Sequence, residues 1–177
     1  RLDYIQGLGA TSVWVTPPVL NQWWNGTYGG YHGYWAADFK RMDPHFGTLK
    51  EYQQLSDALH RRGMYLVQDI VLNHTGDFFK YQNWRADDPA HGFELNPHST
   101  PMKAPLQAPF NMNDPRNSAH RKAGIYHWTP DVVDYSNPQQ ELNFQMAGLD
   151  DLNSENPTVR KALRDSYAYW IRNVGVD

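Results

Sequence analysis

Asp69-Ile70-Val71-Leu72-Asn73-His74 sets a carboxylate, an amide and an imidazole at the end of an apolar run, and that placement decides the fold. Just upstream, Gly63 closes a helix and Met64-Tyr65-Leu66-Val67 runs apolar without alternation, which predicts a strand covered on both faces, as in a parallel sheet. Asp69, Asn73 and His74 then fall where the strand hands over to its loop. In α/β sheets and barrels that edge is where ligands bind and chemistry is done. A bland reading stands beside this one: Asp69 caps a turn, and His74 is a loop histidine with its hydrogen bonds satisfied.

Working outward, Thr48-Leu49-Lys50-Glu51 reads as a capping box, and Leu49, Tyr52, Leu55, Ala58 and Leu59 form one apolar helical face ahead of Gly63. Thr11-Ser12-Val13-Trp14-Val15-Thr16 is β-branched, short and stopped by Pro17-Pro18, so it predicts a strand. Before it, Leu2, Tyr4, Ile5 and Leu8 fall at helical spacing and end at Gly7 and Gly9. Residues 19–47 read as irregular. Residues 75–148 carry many Pro, Asn, Asp and His and little periodicity; a connection that long is functional, disordered or a small domain of its own. Asn156-Pro157 then starts a helix whose Val159, Ala162, Leu163, Ser166, Tyr167, Trp170 and Ile171 face inward, and Val174-Gly175-Val176 is expected to open the next strand.

Helix-to-strand junctions are therefore short, while strand-to-helix junctions are long and rich in aromatic and polar residues. That asymmetry predicts the α/β class and a partial (β/α)8 TIM barrel, with active-site loops at the strands' C-terminal ends and right-handed crossovers. About three of the eight units would be present. Residues 1–74 would be the first part of the barrel, 75–148 an inserted small domain after the third strand, and 149–177 the barrel's continuation. An open doubly wound sheet is the alternative, but no glycine fingerprint follows Thr16. Arg1 lies inside an apparent helix and Asp177 at the start of an apparent strand, so a segment of a longer protein is expected.

Composition narrows the function. Aromatic residues make up 14% of the chain, with 7 Trp and 11 Tyr, flat apolar faces with polar handles that suit sugars as well as cores. A net charge of -3 without a basic run argues against nucleic acid as the partner. No apolar stretch approaches a membrane span. The chain has no cysteine, which excludes disulfides and thiolate metal sites. It also has no G-x-S-x-G elbow and no H-E-x-x-H helix. Localisation and oligomeric state are not written in it.

Tyr31-His32-Gly33-Tyr34-Trp35-Ala36-Ala37-Asp38 in the first long loop, followed by Asp69 to His74, resembles the α-amylase family of glycoside hydrolases and transglycosylases, with its Y-x-G-Y-W-x-x-D and D-x-V-x-N-H motifs. Residues 9–18 resemble the family's second strand, and Leu149-Asp150-Asp151-Leu152-Asn153 its L-P-D-L-[DN] or Q-P-D-L-N motif. The resemblance implies that Tyr34 stacks on the sugar at the cleavage point, that His74 hydrogen-bonds the same sugar, and that Asp69 supports the site. His32 and Trp35 would line the same pocket. Asn73 corresponds to a residue that in many members gives its amide oxygen to calcium, a cation preferring oxygen ligands, and Asp151 or Asn153 would add ligands. Asp150 stands where Pro is usual and Asn153 where Asp is frequent, and members with the Asn form often lack this calcium. The inserted segment would wall a cleft, with Trp84, Phe93, Phe110, Tyr126, Trp128 and Tyr135 serving mostly as core.

By the same resemblance the substrate is an α-linked oligosaccharide or polysaccharide such as starch or a malto-oligosaccharide, cleaved with retention. Retaining hydrolysis needs two carboxyls about 5–5.5 Å apart. The family's nucleophile and acid motifs lie beyond the G-V-D of Gly175-Val176-Asp177, so no catalytic carboxylate is assigned here and the segment alone is expected to be inactive. One rival is a trehalose- or sucrose-active transglycosylase or isomerase of the same family. A rival of another class is a sugar-binding homologue without the carboxylates.

Overall fold

The computed structural model describes residues 1–177. Helix α1 (Leu2–Gly7) leads into strand β1 (Ser12–Val15), then come β2 (Val19–Asn21), β3 (Ala36–Met42), helix α2 (Leu49–His60) and β4 (Tyr65–Gln68). The Thr48 hydroxyl accepts from the Glu51 N–H while the Glu51 carboxylate accepts from the Thr48 N–H, completing the capping box. Gly63 takes a positive φ of 68°, and the chain turns at once into β4. β1 and β4 pair in parallel from Ser12 opposite Tyr65 to Val15 opposite Gln68, with α2 packed on β4.

β2 and β3 are an antiparallel pair inside the stretch that reads as irregular. Register shifts fall on both sides of Leu20, and such irregularities break the two-residue alternation by which a strand is recognised. Within residues 1–177, β4 is covered on one face. Leu66 is fully buried, whereas Tyr65 is 58% exposed, Val67 40% and Trp14 of the neighbouring strand 56%. The helices pack on one side of the pair only.

After β4, residues 75–148 hold an antiparallel pair, β5 (Phe79–Tyr81) and β6 (Phe93–Leu95), and two short helices, α3 (Ser118–Ala123) and α4 (Pro138–Asn143). Phe93, Phe110, Tyr126 and Trp128 are buried and Tyr135 is exposed. The buried ones share one apolar cluster with Val19, Phe39, Leu59 and Trp170. Helix α5 (Pro157–Val174), capped by the Asn156 side chain, runs through Val174, so that residue closes the helix instead of opening a strand. Its Trp170 indole N–H donates to the Phe39 carbonyl at 2.7 Å, seating α5 against β3.

Past α5, Gly175 adopts the left-handed conformation that a Cβ disfavours. The Asp177 N–H then donates to the Leu66 carbonyl at 2.9 Å, and its carboxylate accepts from the Leu66 N–H at 2.9 Å. Tyr65 and Asp69 donate the other way, to Thr11 and Val15. Alternate residues of a strand bond to opposite sides, so β1, β4 and Asp177 lie in successive order, as consecutive strands of a parallel barrel do. This strand order is that of a fragment of a (β/α)8 barrel.

Candidate functional site

The site is built where the loop between β2 and β3 meets the C-terminal end of β4. Gly33, at φ +89°, presses against the end of β1: a Cβ there would lie 2.1 Å from the Pro17 carbonyl oxygen, so the loop closes only without a side chain. His32 Nδ1 then accepts the Tyr34 N–H at 3.0 Å, and the Trp35 N–H donates to the Asn21 amide oxygen at 2.9 Å. The His32 ring lies 5.6 Å from Tyr34, nearly parallel, and 4.8 Å from Trp35, edge to face.

These contacts aim the Tyr34 hydroxyl at Asp69, to which it donates at 2.7 Å. The other Asp69 oxygen accepts the Ile70 N–H at 2.8 Å. Hydrogen bonding to Asp69, then burial, pushes the Tyr34 phenol above its ordinary pKa. His74 Nε2 lies 3.2 Å from the Tyr34 carbonyl and Nδ1 lies 3.4 Å from the Asn73 amide nitrogen. The network therefore assigns the ring proton to Nε2. Burial lowers the His74 pKa, with the Tyr34 carbonyl opposing it, and burial lowers that of His32; both imidazoles are neutral at neutral pH. Tyr34, His32, Trp35, Asp69 and His74 thus form one cluster of aromatic faces, neutral donors and a single carboxylate. That set can grip and orient a polyhydroxylated ligand.

A family model described as alpha amylase, catalytic domain, matches residues 1–177. The chain belongs to the alpha-amylase family. An alpha-amylase of Streptomyces lividans is 32% identical over 212 residues, covering 100% of this chain and 22% of that protein. A cyclomaltodextrin glucanotransferase of Klebsiella oxytoca is 33% identical over 100% of this chain and 25% of its own length. Among solved structures, the Geobacillus thermoleovorans alpha-amylase complexed with acarbose superposes with a TM-score of 0.69 at 31% identity, covering 99% of this chain and 31% of that one. The chain thus spans about a quarter of the curated relatives' length.

Within this alpha-amylase-family chain, the residues expected to hold calcium are only partly brought together. The Asn73 amide donates to Asp151 Oδ1 at 3.3 Å, and the other Asp151 oxygen meets His127 Nδ1 at 2.5 Å. Asn153 is used elsewhere: its side-chain oxygen accepts the Asn156 N–H at 3.2 Å, a local turn ahead of α5. No three His, Cys, Asp or Glu side chains gather around one point, and calcium takes about 6–8 oxygens. Of the three expected ligands, Asn73 and Asp151 lie side by side and Asn153 turns away.

Three side chains at this junction escape sequence reasoning. His127, bridging Asp151 and Glu155 (3.0 Å), carries no motif. Tyr167 reads as packing, yet its hydroxyl accepts from the Val71 N–H at 2.9 Å and donates to the Val71 carbonyl, pinning the stretch after Asp69. Buried Gln22 ties both main-chain groups of Asp77 and the Ser99 hydroxyl. Only the inward position of Tyr167 on its helix gave a hint.

Proposed function

We propose that this chain is part of the catalytic barrel of a retaining α-glycosidase acting on α-glucosidic bonds of starch-like or malto-oligosaccharide substrates. The observation that carries the reading is the Tyr34 hydroxyl on Asp69 at 2.7 Å, with His74 beneath Tyr34, at the C-terminal edge of parallel strands where barrel enzymes do their chemistry. Tyr34 would present its face to the sugar ring, Asp69 would orient Tyr34 and accept sugar hydroxyls, and His74 would hold the loop through Nε2 and offer Nδ1, its unprotonated nitrogen, to a sugar hydroxyl. His32 and Trp35 complete the wall.

This site offers one carboxylate, whereas retention uses a nucleophile and an acid/base pair; both would come from strands outside residues 1–177. Residues 1–74 and 149–177 would be barrel, and 75–148 the inserted domain walling the cleft. The exposed Trp14, Tyr65 and Val67 face suits the interior of a closed barrel. Relatives named cyclomaltodextrin glucanotransferase favour a second reading, transfer to a sugar acceptor in place of water from the covalent glycosyl-enzyme that a retaining nucleophile forms. The test is the anomeric form of the first product from maltoheptaose with the full-length protein, followed by NMR. An α product supports the proposal and a β product refutes it.

A further inference from the structure

We infer that Asn21, held in place by Asp43, is a positioning residue for Tyr34: it sets the pose of the sugar platform without touching the sugar. The inference rests on the reading under Proposed function. Asn21 and Asp43 are each only 1% exposed, so neither can meet a ligand. Whatever they do for the site must pass through the groups they hold.

The group that Asn21 holds is the peptide unit leaving Tyr34. That unit carries the Tyr34 carbonyl and the Trp35 N–H, and it is planar. His74 Nε2 donates to the carbonyl at 3.2 Å, and the Asn21 side-chain oxygen accepts the N–H at 2.9 Å. With both edges of the plane gripped, its rotation is fixed, and so is the direction in which the Tyr34 side chain leaves the backbone. On the other side of Tyr34, its own N–H is held by His32. Only the Asn21 grip comes from a buried side chain outside the cluster that faces the sugar.

Asn21 is itself fully constrained. Its NH2 donates to the Val19 carbonyl at 2.7 Å, which assigns the oxygen to the Trp35 side. Its main-chain N–H donates to Asp43 Oδ2 at 2.9 Å. Asp43 Oδ1 accepts the His45 N–H at 2.9 Å and His45 Nδ1 at 2.8 Å, and the His45 ring stacks on Trp23 at 3.5 Å with 8° between the planes. A buried carboxylate is tolerated only when its bonds are made, and those of Asp43 go to fixing Asn21 and His45. An apolar residue in place of Asn21 could pack β2 on β3, but it would leave the Trp35 N–H without an acceptor. A ring tilted by the freed peptide still covers apolar sugar surface, yet it no longer presents the sugar for attack. Turnover should therefore suffer more than ground-state binding.

In the full-length protein, Asn21→Ala should lower kcat on maltoheptaose about tenfold with KM within about twofold of wild type. Asp43→Asn, which sets an NH2 against one of the N–H donors, should do the same. The deciding measurement is the cycle with Tyr34→Ala: once the platform is gone, Asn21→Ala should cost no more than about a further twofold in kcat/KM. A full tenfold loss in that background means that Asn21 acts on the structure at large, and it overturns the inference. Unchanged kcat in Asn21→Ala, or a change in KM alone, overturns it as well. If Asn21→Ala does not fold, His45→Phe takes its place in the cycle, since that side chain is 48% exposed and the new ring keeps the stacking on Trp23. Losing the Nδ1 bond to Asp43 should then lower kcat about threefold, and an unchanged kcat overturns the inference. These failures leave the proposed function intact. A wild-type protein that does not cleave maltoheptaose, or Tyr34→Ala as active as wild type, refutes the proposed site and takes this inference with it.

Discussion

If the Tyr34 hydroxyl orients the sugar platform through Asp69, removing either end of that bond should cost the same activity once, not twice. The bond is a phenol O–H to a carboxylate at 2.7 Å; hydrogen bonds to charged groups contribute about 1.5–3 kcal/mol. Both side chains are only partly buried, which lowers the expectation to about 1–2 kcal/mol, or about fivefold to thirtyfold in kcat/KM. Asp69 keeps its bond from the Ile70 N–H, and His74 still holds the Tyr34 carbonyl, so the loop should stay in place in Tyr34→Phe. The assay is kcat/KM on maltoheptaose for the full-length protein, Tyr34→Phe, Asp69→Asn and the double variant, with melting temperatures alongside. The double should be little worse than the worse single. Losses that add to within about 0.5 kcal/mol would show that the two groups act independently and refute the reasoning. Tyr34→Ala, which also removes the ring and its stacking on His32, should lose at least about a hundredfold with folding retained.

His74→Asn should lower kcat by about tenfold to a thousandfold with little change in melting temperature; the reverse pattern would leave His74 a purely structural loop residue. For His127, burial opposes charging, but Asp151 and Glu155 outweigh it and raise the pKa above the ordinary 6.5. Its bridge is therefore at full strength below pH 6.5 and is lost as pH rises through the folded-state value. The melting temperature should fall more steeply above pH 6.5 for the wild type than for His127→Gln; parallel profiles would remove His127 from the account. Most of that effect should come from Asp151, since the Glu155 side chain is 73% exposed and screened. The isolated 177-residue chain should release no product from a chromogenic maltooligosaccharide, and turnover above a host-extract control would place catalytic carboxylates inside it.

What the sequence discloses is whatever has a local cause. The capping box at Thr48 and Glu51 is a contact between residues one helical turn apart, and Asn156-Pro157 announces α5 for the same reason. The clustering of Tyr34, His32, Trp35, Asp69 and His74 is not local, and it was legible only because two motifs resemble a family in which those positions converge. Where neither aid exists, the reading fails for physical reasons. β2 and β3 are hidden by bulges. Asn153 turns to its neighbour Asn156 because a short side chain reaches a nearby N–H more readily than a shared distant site. His127 reaches Asp151 from another part of the chain, and nothing near it in sequence signals that contact.

The substitution of Asp150 for the proline that the resemblance leads one to expect shows how the long segment is fastened here. Thr75 and Gly76 exchange main-chain bonds with Asp150, and Leu152 donates to the Asn73 carbonyl, so the two ends of residues 75–148 are laced at the mouth of β4. Proline at 150 would remove the N–H that donates to Gly76. Aspartate keeps it and adds a buried carboxyl that accepts the N–H groups of Phe78 and Phe79 at 3.1–3.3 Å and the Thr75 hydroxyl at 3.4 Å. An unpaired carboxylate in such a place would cost several kcal/mol. Burial, and then Asp77, push the Asp150 pKa well above the usual range, while the N–H groups of Phe79 and Phe78 and the Thr75 hydroxyl work against that rise. The adjoining Asn73–Asp151 contact is closed by His127. Together these side chains hold His74, and through it the Tyr34 carbonyl, by hydrogen bonds.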